Sequence, residues 1–210
     1  MKAFLVNVSE FLVSFLWLFG IHGANVVSGV MMPIWLTALN QNHAAFTAGK
    51  ALPNIVTTSF FDNFVHMGGS GATIGLAMLL VFAAKSKELK TLGKLVAGPA
   101  LFNINEPIVF GLPIVMNYKM AVPFILTPLI NVTTTYVSMA AGWVARPMGV
   151  YIPWTTPPVL SGFIATGHIS GSILQIVNIV LDTLMYFYFF KSMDKDKLAE
   201  ELGQTKVAGK

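Results

Sequence analysis

The chain alternates long apolar runs with short polar interruptions. Residues 4–20 are apolar apart from Asn7, Ser9, Glu10 and Ser14, and predict a first helix. Gly20-Ile21-His22-Gly23 interrupts it, because two glycines around a polar residue favour a turn. A second apolar stretch, 24–39, contains Pro33 and ends at Asn40-Gln41-Asn42-His43. Segment 42–66 is mixed, with Pro53, Asn54, Asp62 and Asn63, and is too polar for a simple span. Gly68-Gly69-Ser70-Gly71 opens a helix over 71–85, followed by a loop carrying Lys85, Lys87, Lys90 and Lys94.

Two short apolar pieces around Asn103-Ile104-Asn105-Glu106-Pro107 predict a re-entrant hairpin over 98–116, since neither half is long enough to cross a bilayer. A full span is expected over 119–142, ended by Arg146-Pro147. A second broken segment, 150–167, holds Pro153, Trp154, Pro157, Pro158 and Gly162. The last span, 169–190, carries Asp182, and a hydrophilic tail occupies 191–210. The expected fold is therefore all-α and polytopic, with four to five full spans and two Pro/Gly-broken hairpins. Residues 1–190 form the membrane-embedded domain. Broken segments in corresponding places, each followed by a long span, point to a transporter's binding site.

Composition supports a lipid-solvated chain. Hydrophobic residues make up 55% and charged residues 10% of 210, against about 25% charged in soluble domains, and the mean hydropathy is +0.70. Lysines at segment edges put the 85–94 loop and the C-terminus in the cytoplasm by the positive-inside rule. The net charge of +4 lies at those edges and not along an aromatic-studded face, so nucleic acid is not an expected partner. No cysteine is present, which removes disulfides, thiolate metal sites and a cysteine nucleophile from these residues. The apolar pattern continues past Phe19 with no small-residue cleavage site, so the first helix is expected to be retained.

Glu106 is the leading candidate for chemistry. A carboxylate at membrane depth costs at least about 2.5–3.5 kcal/mol, and irregular backbone there is tolerated only inside protein or beside a wet cavity. With Asn103 and Asn105 it forms a cluster suited to a polyol; the competing reading is a cytoplasmic loop close to Lys94. His22 reads either as a group that orients a hydroxyl or as a helix cap. Trp154 reads either as a stacking platform for a sugar or as an interfacial anchor. Asp62, Asn63 and His66 are too few for a closed metal site and fit a helix-end or loop role better. The glycine run 68–71 lacks the Lys-Ser/Thr of a phosphate loop, and tight packing is its expected role. Asp182 is expected to pair within the bundle; His43 and His168 are left without a role. No metal or cofactor is expected.

Phe19-Gly20-Ile21-His22-Gly23, Gly68-Gly69-Ser70-Gly71-Ala72-Thr73, Phe102-Asn103-Ile104-Asn105-Glu106-Pro107-Ile108-Val109-Phe110-Gly111 and Ile152-Pro153-Trp154-Thr155-Thr156-Pro157-Pro158 together resemble a known family. It is the membrane (IIC) component of the lactose/cellobiose/chitobiose branch of the bacterial phosphoenolpyruvate-dependent sugar phosphotransferase system. The resemblance covers residues 1–195 and corresponds to the C-terminal, sugar-binding half of complete members, which are about twice as long. It implies uptake of a β-linked disaccharide across the bacterial plasma membrane, coupled to its phosphorylation by a phosphocysteine on a separate IIB component. It further implies that His22 and Glu106 contact the accepting hydroxyl, that Trp154 packs on the sugar with Asn105 nearby, and that a homodimer forms only when the N-terminal half is supplied. An ion-coupled secondary transporter using Glu106 and Asp182, or an inactive truncated remnant, are the alternatives.

Overall fold

The computed structural model describes residues 2–112, 114 and 117–203; Lys206 and Lys210 of the expected tail lie outside them. Helix α1 (Lys2–Trp17) ends in a glycine turn: the Gly20 N–H reaches the Trp17 carbonyl at 3.0 Å, and the Ile21 N–H reaches that of Leu16 at 3.1 Å. Helix α2 (Gly23–Thr47) follows at once. It runs beyond residue 39, straight through the polar stretch expected to end it. Asn42 explains why that stretch is helical. Its fully buried side chain accepts from the Asn54 N–H at 2.9 Å and donates to the carbonyls of Asn54 and Pro147, at 2.8 and 2.7 Å. The returning segments thus cover Asn42, while Asn40, Gln41 and His43 stay exposed.

A wide turn with i→i+5 bonding, Phe60–Val65, carries the His66 N–H to the Phe61 carbonyl at 2.9 Å. Helix α3 (Ile74–Phe82) is shorter than the pattern over 71–85 suggests, because residues 68–73 are taken up by a turn. The lysine-rich stretch is not a loop. It is the start of α4 (Lys87–Leu101), capped by Ser86, whose Oγ accepts from the Leu89 N–H at 3.2 Å. Its buried positions Leu89, Gly93, Val96 and Ala100 recur at helical spacing, which leaves Lys87, Lys90 and Lys94 on the exposed face. A tight turn joins α4 to the short α5 (Glu106–Gly111), so a helical hairpin is present around Glu106, with a longer first limb than hydropathy indicates.

Helices α6 (Tyr118–Ala140) and α8 (Ile169–Glu201) are the two long enough and apolar enough, among the described residues, to cross a membrane. The second broken segment is not two helical limbs. Residues 151–153 form no regular element, and only α7 (Leu160–Thr166) coils. Val159 before it holds a positive φ of 74°, unusual for a β-branched residue. Buried Gln175 secures that conformation: its Oε1 accepts from the N–H groups of Val159 and Gly162, at 2.6 and 2.8 Å.

Helix α8 shows which solvent the fold is built for. Its inward positions Gln175, Asn178, Asp182 and Tyr186 are fully buried, while Ile169, Ile173, Ile176, Val180, Leu184 and Tyr188 point outward and are exposed. Polar groups inside and an apolar coat outside are the arrangement expected in lipid, where polar groups must be satisfied internally. Asp182 faces the Asn131 amide of α6, its partner across the bundle, which fits the expected pairing there.

Helices α3, α4, α5 and α8 enclose one apolar core around Leu76, Leu80, Val96, Ile108 and Phe190. Helices α1, α2, α6 and the wide turn enclose a second, around Val13, Val27, Trp35, Phe60 and Val132. Three contacts gather the lysines at one end of the molecule. Asp194 of α8 accepts from the Lys85 and Ser86 N–H groups at 2.9–3.0 Å, Lys197 reaches Glu88 at 3.2 Å, and Lys119 reaches Asp196 at 3.3 Å.

Candidate functional site

A cavity of about 310 Å³ opens beside the second core, between α2, the wide turn, the glycine turn and the start of α5, a size within the range of small-ligand pockets, about 300–1,000 Å³. His22, Asn105, Glu106 and Trp154 all line it. Four residues from three separate stretches of sequence are thus brought together.

Each arrives by a different local device. His22 sits between a turn and a helix. Its Nδ1 accepts from the Asn25 N–H at 3.3 Å, and its ring lies 4.6 Å from that of Trp17. The capping reading made of it from sequence therefore holds, and the residue also faces the cavity. An Nδ1 that accepts has a free lone pair, so a neutral His22 carries its proton on Nε2. Gly23 sets the position, because a Cβ there would stand 2.0 Å from the Val13 carbonyl oxygen of α1. Gly23→Ala is expected to force α1 and α2 apart. It should lower stability by about 1–3 kcal/mol and weaken ligand binding at His22, read as a fall in melting temperature and in affinity.

Glu106 begins α5 and is solvent-accessible; its carboxylate makes no hydrogen bond or ion pair among the described residues. It is separated from the lysine end by the whole of α4, 15 residues or about 22 Å at 1.5 Å per residue. Lys94 itself lies in the middle of that helix, seven residues before its end at Leu101.

The two asparagines differ in their surroundings. Asn103 adopts a left-handed φ of 61° just past α4, where asparagine is tolerated. Its Oδ1 accepts from the Gly68 N–H at 2.7 Å, and its Nδ2 donates to the Trp154 and Thr156 carbonyls at 2.6 and 3.1 Å. Its amide is spent on joining three loops rather than offered to a ligand. Asn105 lines the cavity, but its Nδ2 donates to the Ser70 carbonyl at 2.7 Å. The glycine run is shaped for this contact: Gly69 has φ of 89°, and a Cβ there would stand 2.5 Å from Asn105 Cγ. Trp154 is half-exposed at the cavity, its backbone held by Asn103.

Two residues set aside from the sequence also line the cavity, Asp62 and His66. Behind His66 lies Glu10 of α1, fully buried, with its Oε2 2.7 Å from His66 Nε2. The signal was present: two titratable groups four residues apart inside a phenylalanine-rich run, and a lone acid in an apolar first helix. What sequence withheld was that α1 and the wide turn pack together.

Residues 2–128 match the family described as "Phosphotransferase system, EIIC". The chain is 52% identical over 195 residues to the lichenan permease IIC component of Bacillus subtilis (strain 168), covering 92% of this chain and 43% of that protein. It is 52% identical over 197 residues to the cellobiose-specific EIIC component of Geobacillus stearothermophilus, covering 92% and 44%. The crystal structure of the transporter ChbC, the IIC component from the N,N'-diacetylchitobiose-specific phosphotransferase system, superposes with a TM-score of 0.94 at 47% identity, over 96% of this chain and 47% of that one. The chain thus spans a little under half the length of these relatives. With more than half of its residues matched, and the helical hairpin and its acid in place, the chain belongs to the EIIC family of membrane permeases of the phosphotransferase system.

Proposed function

We propose that the chain is the sugar-binding part of a permease component that carries a β-linked disaccharide, of the cellobiose or N,N'-diacetylchitobiose kind, across the bacterial plasma membrane. The transport is coupled to phosphorylation by the phosphocysteine of a IIB protein. The observation that carries this reading is the unengaged Glu106 carboxylate sharing one cavity with the His22 imidazole and the Trp154 indole. An indole stacks on the apolar face of a sugar ring, while a carboxylate and an imidazole address its hydroxyls. Complete relatives are about twice as long, so part of the sugar's surroundings belongs to their other half.

In this reading the labour is divided between the two titratable groups. With Nδ1 occupied by the Asn25 N–H, a neutral His22 offers Nε2–H as a donor to the accepting hydroxyl oxygen. Glu106, an acceptor when ionised, takes the hydroxyl proton. As that proton leaves, the oxygen attacks phosphorus; the O–P bond forms, the S–P bond breaks and the cysteine departs as thiolate. Such transfers rest mainly on positioning and charge stabilisation. The lysine-rich end is read as cytoplasmic, with the C-terminus on that side. The sugar-bearing part then moves against a fixed dimerisation part supplied by the other half. Phosphorylated sugar beside Glu106 meets like charge, which favours its release inward.

The test is binding of cellobiose, N,N'-diacetylchitobiose and their 6-phosphates to the purified chain, alone and with the other half of a relative supplied. Wild type is expected to prefer free sugar over sugar phosphate. Glu106→Gln is expected to narrow that preference by about tenfold or more, the scale of one charge interaction of roughly 1.4 kcal/mol. It should also abolish phosphoryl acceptance from the IIB protein. An unchanged preference in Glu106→Gln, or no disaccharide bound in either format, would remove the reading. Uptake that persists without IIB but collapses with the proton gradient would favour ion coupling instead.

A further inference from the structure

A second depression, of about 440 Å³, lies at the lysine end between the α3–α4 turn and the last turns of α8. Its floor is apolar, formed by Phe187, Phe190 and Leu198, and its rim carries Lys85, Lys191 and Lys195. We propose that this groove holds an anionic phospholipid, its headgroup phosphate among the three lysines and the start of an acyl chain along the phenylalanine floor.

Charge accounting carries the assignment. The acid inside the groove, Asp194, is committed elsewhere: both oxygens accept from the Lys85 N–H at 3.0 Å, and one also from the Ser86 N–H at 2.9 Å. The neighbouring acids are also engaged, Asp196 by Lys119, and Glu88 and Glu200 by Lys197. Among the described residues no ion pair involves Lys85, Lys191 or Lys195, and Lys191 Nζ stands 5.7 Å from the Phe187 ring centroid. Three cations thus face one depression against the single carboxylate of Asp194, a net positive charge. Phosphate recruits such clusters where basic pockets meet the membrane surface.

The floor fixes the other half of the ligand. Phe187 continues the outward apolar face of α8 through Leu184 and Tyr188, all exposed. One helical turn on, that face gives way to Lys191, Asp194 and Lys195. An amphiphile with a negative head and a hydrocarbon tail matches both surfaces at their junction. Free phosphate matches only the rim, and a soluble acidic protein would leave the floor in contact with lipid.

The experiment measures phospholipid retained by the full purified chain, by native mass spectrometry after equilibration with vesicles of equal phosphatidylglycerol and phosphatidylcholine. Wild type is expected to retain phosphatidylglycerol preferentially. The variant Lys85→Gln/Lys191→Gln/Lys195→Gln is expected to lose that preference by about tenfold or more. A control with the same charge change at the same end, Lys87→Gln/Lys90→Gln/Lys94→Gln, should keep it. Those control residues are exposed on α4 and outside the groove. Melting temperatures of both variants close to wild type establish that the loss is local. The proposal is overturned by equal retention of the two lipids, by equal losses in both variants, by displacement of the lipid with millimolar inorganic phosphate, or by a photo-crosslinker at Lys195 that captures a soluble protein in place of lipid.

Discussion

Replacing Asn103 with alanine is expected to dismantle the cavity while leaving the helices intact. The side chain is 5% exposed and makes three hydrogen bonds to two other backbone segments. Its removal orphans the Gly68 N–H and loosens the Trp154 and Thr156 carbonyls. A group left unsatisfied costs about 1–3 kcal/mol. Alanine at a φ of 61° adds about 1 kcal/mol of backbone strain that asparagine largely avoids. With partial rescue by water, the loss should reach about 3–5 kcal/mol. It should appear as a clear drop in melting temperature together with loss of sugar binding, because Trp154 and the glycine turn are released together. Two further variants separate the contributions. Asn103→Gly relieves the strain but keeps the lost bonds. Asn103→Asp keeps an acceptor for the Gly68 N–H but has no donor for the two carbonyls, so it should hold the glycine turn and free Trp154. Wild-type melting and affinity in Asn103→Ala would show that the three loops are held by other contacts.

Asn103 also illustrates what the sequence could and could not convey. Hydropathy located the break around Glu106 correctly, because an acid between two short apolar runs is expensive in lipid. The same reasoning placed Asn103 and Asn105 with Glu106 as ligand groups, since it sees residue type and spacing but not which backbone carbonyls lie opposite. Buried irregular backbone needs partners, and here amide side chains supply them. The site therefore contains fewer free polar groups than its sequence suggests. His22 was legible because glycines isolate it, and Trp154 because prolines frame it. The lysine stretch 85–94 was legible as charge but not as helix, since its periodicity emerges only when Leu89 is counted with Val96 and Ala100. Asp62 and His66 were passed over because their meaning depends on Glu10, more than fifty residues earlier.

The Glu10–His66 pair gives the second large effect. Glu10 is fully buried; Oε2 meets His66 Nε2 at 2.7 Å, and Oε1 has no hydrogen-bond partner among the described residues. A carboxylate accepts, so Nε2 carries the hydrogen, and His66 is held at the cavity wall in one orientation. Removing one member of a buried charge-assisted pair leaves the other desolvated without compensation, at about 3–5 kcal/mol. Glu10→Ala should therefore lose stability on that scale, with a cavity term adding to the loss. Glu10→Gln retains shape and an acceptor but gives up the charge, which about halves such a bond, so it should lose about 1 kcal/mol. The decisive measurement is a double-mutant cycle with His66→Ala, read by melting in detergent. If the pair is coupled, Glu10→Ala costs far less in the His66→Ala background, with an interaction energy of about 1–3 kcal/mol. The same cycle read by sugar affinity separates positioning from support. A group that acts through His66 changes affinity only while His66 is present, whereas a purely structural acid lowers it in both backgrounds. Additivity within about 0.5 kcal/mol in both readouts would dissolve the pair. Coupling in both would make a buried acid on α1 part of the wall facing the ligand, across from His22 and Glu106.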